Sequence, residues 1–342
     1  MTALNASTAK ETFVKKSPTI LALFADVDDE YVWERELAEI PNLIRLRGSE
    51  SLSRALPALK SRGLEPGLAL ISTRVYPLGA ANPLFLLRRL FPAIQAILLS
   101  EADAPLPSLH PLMTDAIRHL VIEPAVEMSG SPAGNPLKLA VFNLLNDRSW
   151  QMNDYLRPGT TVREFAITSS DQKETLIGDL MAMIGGEGPE LELLRQKGAL
   201  LADEMLENAI YGAPRGEDGN KMFNKGERRQ LLPAEEIGFR AGFDGVTLAL
   251  EVTDSWGSLP SDTVMEHLTC NQDGDSPAGE TGGRGLFIIW RFLDQMHVTI
   301  APGRQTVVGG QVRLQSDMDT SAPKGFHIIT RRQERAAVNN AQ

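Results

Sequence analysis

The chain has 342 residues, 42% hydrophobic and 23% charged, enough for two domains with a core each. Its formal net charge of −10 argues against a nucleic-acid-binding surface, because neutralising phosphates needs clustered Lys and Arg. One cysteine, Cys270, excludes an intramolecular disulfide; it and the five scattered histidines offer no zinc spacing, and no apolar run nears the ~20 residues of a membrane span. The expectation is a cytoplasmic protein with no transition metal, no nucleic acid and no membrane contact, whose partner is a small molecule or a protein.

Residues 1–17 read as a disordered start. From "PTILALFA" (18–25) short apolar runs alternate with helical periodicity. The order is helix "DEYVWERELAEI", strand "NLIRLRG" (42–48), helix "SESLSRALPALKSRG" (49–63) and strand "PGLALIS" (66–72). Helix "NPLFLLRRLF" (82–91), strand "QAILLS" (95–100), a helix near 107–117, strand "RHLVIEP" (118–124) and helix "PLKLAVFNLLND" (136–147) follow. This alternation predicts an α/β, doubly wound parallel sheet over 18–150. "MSGSPAGNP" (128–136) reads as a loop inside it.

The segment Pro18 to Asp147 resembles a response-regulator receiver domain, in pattern more than in motif. Laid over the family's third strand and loop, "PGLALISTRVYPLGAANPLFLLRRL" puts Ser72 where receivers carry the phospho-accepting Asp and Pro77 at the loop proline. "VIEP" (121–124) puts Glu123 in place of the family's lysine. Ser100 falls at the hydroxyl position, and Asp26, Asp28 and Asp29 follow strand one, where the family binds magnesium. No Asp lies between Leu64 and Glu101, so an aspartyl nucleophile is missing in any register. The resemblance therefore implies a pseudo-receiver used for docking or dimerisation.

Periodicity fades at "NDRSWQMNDYLRPGTT" (146–161), where Pro158-Gly159 marks a turn; 151–162 is read as a linker. Over 163–318 the order changes. "REFAITSS" (163–170) is a strand, helices run to about Ile184 and about Tyr211, and "EEIGFRAGFDGVTLALEVTDS" (235–255) is a hairpin around Phe243-Asp244-Gly245. "NQDGDSPAGETGGRG" (271–285) leads into helix "LFIIWRFLDQM", and "HVTIAP" with "GGQVRLQS" close the sheet. This predicts an α+β sandwich, helices on one face of a mixed or antiparallel sheet, with 319–342 as a C-terminal tail.

Three pieces here invite one ligand. In "LADEMLENAIYGAP" Glu204 and Asn208 share a helix face at i and i+4; Asp254 ends a strand; Gly282-Gly283-Arg284-Gly285 opens a helix. A Gly-rich loop at a helix N-terminus suits a polyphosphate, and an amide or carboxylate oxygen nearby suits Mg²⁺. A strand-end Asp can accept from an exocyclic amine. Each alone has a bland reading: a solvated stripe, a turn residue, a loop.

In this order they resemble the GHKL (Bergerat-fold) ATP-binding superfamily from about Arg163 to Leu314, and "ADEMLENAIYGA" with "GGRGLFIIWRFLDQMHV" most resembles its anti-sigma-factor serine-kinase branch. The likeness implies ATP and Mg²⁺ as cofactors. Asn208 would coordinate Mg²⁺, Glu204 would activate the attacking hydroxyl or water, and Asp254 would bind the adenine amine. Gly283 and Gly285 would line the phosphates, with Gly282, Arg284 and Gly257 beside the nucleotide. In the first glycine box, Asp254-Ser255-Trp256-Gly257-Ser258 carries Trp and Ser at the two usual glycine positions. The stretch 262–281 would be a flexible ATP lid.

The implied activity is phosphoryl transfer to a protein serine or threonine in bacterial signalling. The implied partner is an anti-sigma antagonist of the STAS type or a sigma factor; the competing reading is a kinase-like module that sequesters its partner. No His-bearing dimerisation hairpin precedes the ATP-binding part, and the short stretch after Leu314 leaves no room for the transducer domain of the gyrase, chaperone and mismatch-repair branches. Homodimerisation through either half stays open.

Overall fold

A computed structural model describes residues 18–76, 82–105, 107–123, 135–272, 284–314 and 322–331. The first half alternates as β1 (Thr19–Phe24), α1 (Val27–Val32), α2 (Glu34–Leu37), β2 (Leu43–Arg47), α3 (Gly48–Ser61), β3 (Pro66–Ser72), α4 (Pro83–Leu90), β4 (Gln95–Ser100), α5 (Leu109–Thr114), β5 (His119–Ile122) and α6 (Pro136–Leu145). Its strands pair in parallel in the order β2-β1-β3-β4-β5. Helix starts are punctuated as the residue types demand: Asn82 and Asn135 accept from Leu84 N and Lys138 N, each followed by a first-turn proline.

The second half contains a 3₁₀ turn (Met152–Tyr155), β6 (Val162–Ile167), α7 (Gln172–Met183), α8 (Pro189–Glu207), β7 (Ile237–Phe243), β8 (Thr247–Asp254), α9 (Ser261–Gln272), α10 (Arg284–Phe292), β9 (Gln295–Ala301), β10 (Gln305–Arg313) and β11 (Gly325–Thr330). Strands β6-β7-β8-β10-β9 are antiparallel neighbours. The β7–β8 hairpin turns where its residues predict, with Gly245 at φ 95° and the Asp244 carboxylate accepting from Val246 N and Thr247 N.

Strand β11 joins the halves. It runs parallel to β9 and antiparallel to β5, so eleven strands form one continuous sheet. The expected C-terminal tail is corrected accordingly: "GFHIIT" is a central strand with Gly325, Phe326, His327 and Ile328 buried. The expected linker is corrected too, since Met152, Tyr155 and Leu156 are buried against the sheet. In place of a flexible lid from 262, the chain forms α9, because Val264, Met265 and Leu268 pack inward at helical spacing; 273–281 lies outside the described residues.

Alternation along the strands sorts the core into two layers. In β1, Leu21 and Leu23 join one cluster while Ile20, Ala22 and Phe24 join the other. The first cluster runs unbroken into the second half through Leu201, Leu248, Leu250 and Trp290. The second packs α6 and the 3₁₀ turn on the opposite face, through Leu137, Val141, Trp150 and Tyr155. No helix among the described residues is long and apolar enough to cross a membrane.

Candidate nucleotide site

Helix α8 does not simply stop at Glu207. It widens into a π turn, Asn208–Gly212, closed by Ala213 N donating to Asn208 O at 2.7 Å. The side chains of Glu204 and Asn208 leave the helix on the side that meets the start of α10. There the two side chains crowd the backbone of α10: a methyl on Gly285 would lie 2.8 Å from Glu204 Oε2 and 3.1 Å from both polar atoms of the Asn208 amide. A carboxylate at that helix start also faces the positive end of the α10 dipole.

Asn208 and Asp254 line one cavity of about 620 Å³, a volume typical of small-molecule sites. Leu286 and Ile289 of α10 and Val252 and Val308 of the sheet give it apolar walls. Asp254 is buried at the end of β8, and its Oδ1 accepts from Trp256 N at 2.9 Å and Gly257 N at 3.3 Å. Burial raises its pKa above the ordinary 3.8, against those two backbone donors, which lower it. Asn208 Nδ2 is buried with no hydrogen-bond partner among the described residues.

The expected site residues thus divide. Asn208 and Asp254 share the cavity; Glu204 stands beside Gly285 and Asn208 but is not part of the lining. Arg284 is exposed at the first turn of α10. Gly282 and Gly283 lie outside the described residues. Gly257, expected among the cofactor contacts, is spent on packing. At φ 57° it presses on the β9–β10 turn, where a Cβ would overlap Ala301 O and sit 2.6 Å from Arg304 N. Trp256 packs at the same corner, its Nε1 donating to Glu235 Oε1 at 3.1 Å. Ser258 ties the loop to the π turn, Oγ donating to Ala213 O at 2.6 Å.

The polar lining residues Arg215, Lys221, Thr263, Glu266, His267 and Thr306 escape the sequence reading. Arg215 and Lys221 come from the segment after α8, which carries no periodicity, and Thr306 faces Asp254 across the β10–β8 ladder. The register that makes Thr306 a neighbour is a property of strand pairing, visible only in the fold. The lining fits a magnesium nucleotide in an amide oxygen source, an orphan buried amide N–H group, two cations and apolar walls, with Asp254 and Glu266 as its carboxylates.

In the first half, the residues singled out at the strand ends gather as well. Ser72 Oγ donates to Asp29 Oδ1 at 2.7 Å, and Asp29 Oδ2 accepts from Ala25 N at 2.7 Å. Asp26 caps α1, accepting from Asp29 N. Arg74 pairs with Glu101 at 2.6 Å. Burial raises Asp29 and Glu123 above ordinary carboxylate values. Asp28 is exposed, and Pro77 lies outside the described residues.

No family model matches the sequence, and no curated protein does either. Among solved structures, the isolated REC domain of RcsB from Salmonella enterica serovar Typhimurium is similar at 15% identity and a TM-score of 0.29, over 40% of this chain and 93% of that one. The RcsB response regulator of Salmonella typhimurium is similar at 12% identity and a TM-score of 0.28, over 55% of this chain and 92% of that one. Likenesses this loose leave the chemistry to the site's own geometry.

Proposed function

We propose that the chain binds Mg-ATP in the α8–α10 cavity and transfers the terminal phosphoryl group to a serine or threonine of a protein partner, in the manner of the anti-sigma-factor kinases it resembles. The observation that carries this is the meeting of Asn208 and Asp254 on one cavity whose α10 edge brings Gly285 against Glu204 and Asn208. When bound, the metal and triphosphate supply the transferable phosphoryl group and screen its charge.

The chain's own residues do the rest. Asp254 accepts a hydrogen bond from the adenine amine. Asn208 offers its amide oxygen to the metal, and the α10 N-terminus with Arg215 and Lys221 holds anionic oxygens. Glu204 takes the proton from the attacking hydroxyl. The partner is a STAS-type antagonist or sigma-like protein, docked or dimerised through the receiver-like first half, in which Ser72 replaces the phospho-acceptor.

One observation favours a sequestering module instead: Glu204 is absent from the cavity lining, while the Trp256–Gly257 loop is committed to packing. Equilibrium dialysis with ATP, with and without Mg²⁺, and phosphate transfer to the partner separate the readings. The kinase reading expects binding in wild type, about tenfold weaker Mg²⁺-dependent binding in Asn208→Ala, and binding without transfer in Glu204→Ala. Binding without transfer in wild type supports sequestration. No binding at millimolar ATP sinks the nucleotide site and leaves only a sequestering module without ATP.

A further inference from the structure

A second cavity, of about 230 Å³, opens at the seam between the halves, where α4, the start of β5, the end of α6 and β11 meet. Its lining is cationic: Arg88, Arg118 and Arg148, against the single carboxylate of exposed Asp147. Arg118 also pairs with Asp262, which is mostly exposed, and Arg148 with Asp154 at 2.7 Å. Arg88 has no carboxylate at ion-pair distance among the described residues. Its guanidinium donates to the carbonyls of Asp115 and Ala116, and the Asp115 carboxylate acts on it only from beyond ion-pair distance.

Two buried side chains on the same wall are incomplete. Asn143, with no exposed surface, has an Nδ2 without a partner, and His119 has an unpartnered Nδ1. Buried polar groups are ordinarily satisfied, so the open Asn143 N–H group beside three arginines suits an acceptor that carries charge. Burial pushes Arg88 below its ordinary value, opposed by the Asp115 carboxylate and then Tyr76, with a smaller push in the same direction as burial from the charge of Arg118.

We propose that this seam cavity is a binding site for a small oxyanion of the phosphate class, held by Arg88, Arg118 and Arg148 with the Asn143 amide. The volume lies below the roughly 300 Å³ at which drug-sized sites begin, so the group that enters is an inorganic anion or the phosphoryl end of a larger molecule. The bound anion would bridge α4 and α6 to the start of β5, in a cavity that β11 also lines.

The test is isothermal titration of the full chain with inorganic phosphate and, in parallel, glycerol phosphate, at constant chloride ionic strength. Saturable binding below about 10 mM is expected, with a raised melting temperature and a shift of the His119 ring resonances. Equal affinities identify the free anion, and tighter binding of the ester identifies a phosphorylated molecule; both support the site. Arg88→Gln loses about tenfold in affinity, and Arg118→Gln, whose partner Asp262 is exposed, is the second reporter if the first variant misfolds. Asn208→Ala keeps phosphate binding, which separates this site from the nucleotide cavity. Absence of binding, or loss in Asn208→Ala with retention in both arginine variants, overturns the proposal.

Discussion

Asp254 carries opposite demands at the level of one side chain. Its buried carboxylate is costly to keep ionised, and burial raises its folded pKa above the ordinary 3.8. The proton is therefore held more tightly in the folded state. Stability from this group is greatest below the unfolded pKa, falls as pH rises through the folded value, and remains reduced at neutral pH. Asparagine keeps an acceptor for Trp256 N and Gly257 N but carries no charge. Asp254→Asn is expected to match or exceed wild type in urea stability at neutral pH, with the advantage vanishing below about pH 4. The same variant loses about tenfold or more in ATP affinity, because its amide no longer presents a charged acceptor to the adenine amine. A neutral-pH destabilisation with unchanged ATP binding refutes both halves of this assignment. Such a residue was legible in sequence, since an Asp that ends a β-rich run is a local signal. Thr306 opposite it was not, because its neighbour lies 52 positions away and is set by register (306 − 254).

At the level of elements, the 3₁₀ turn at Met152–Tyr155 illustrates how a polar anchor replaces a linker. Gln151 and Asp154 close a capping box, and Met152 N donates to Glu251 Oε2 at 3.1 Å. Glu251 in turn accepts from Arg240 of β7 at 3.0 Å, and His297 of β9 lies 3.3 Å away while accepting or donating to Tyr155 Oη at 3.0 Å. Burial works to raise Glu251, but His297 and then Arg240 outweigh it and hold the carboxyl below the ordinary 4.5. Its stabilisation is thus complete above the unfolded pKa and is lost as pH falls through the lowered folded value. Glu251→Ala, which leaves Met152 N–H without its acceptor while Arg240 keeps its pair with Glu164, is expected to cost about 1–3 kcal/mol in urea denaturation, with Glu251→Gln costing less. Equal stability of Glu251→Ala and wild type at neutral pH rules the anchor out. The sequence showed fading periodicity at 146–161 and no sign of this anchor, because one strong acceptor on β8 organises residues whose own pattern is weak. Helix α9 hid for the opposite reason: Val264, Met265 and Leu268 do have helical spacing, but the polar, Gly-rich run that follows them dominates the composition.

The whole molecule turns on β11. The first half alone would leave β5 as an open edge, and the antiparallel half would leave β9 as another; six residues near the end of the chain satisfy both. Nothing local announces this role, since "GFHIIT" is a short apolar run whose partners are 30 and about 200 residues earlier (325 − 295; 327 − 119). The seam is also filled specifically. Trp150 stacks on His327 at 3.9 Å, His327 meets Gln295, and His119 lies 5.6 Å from His327 across the β5–β11 pair. Burial pushes His119 down to about 3 and His327 well below its ordinary 6.5, so both rings stay neutral and pack as aromatic bodies. A continuous sheet with a core shared across it behaves as one cooperative unit, whereas two tethered domains would melt separately. Thermal unfolding is therefore expected to give coincident midpoints for hydrogen exchange of the β1–β3 pair in the first half and of the β7–β8 hairpin in the second. Ending the chain at Lys324 removes β11, opens two strand edges at once, and is expected to lower both midpoints together and drive association through the exposed edges. If the truncated chain instead kept a monomeric second half with an unchanged midpoint, the halves would be independent domains and β11 only a decoration on the first.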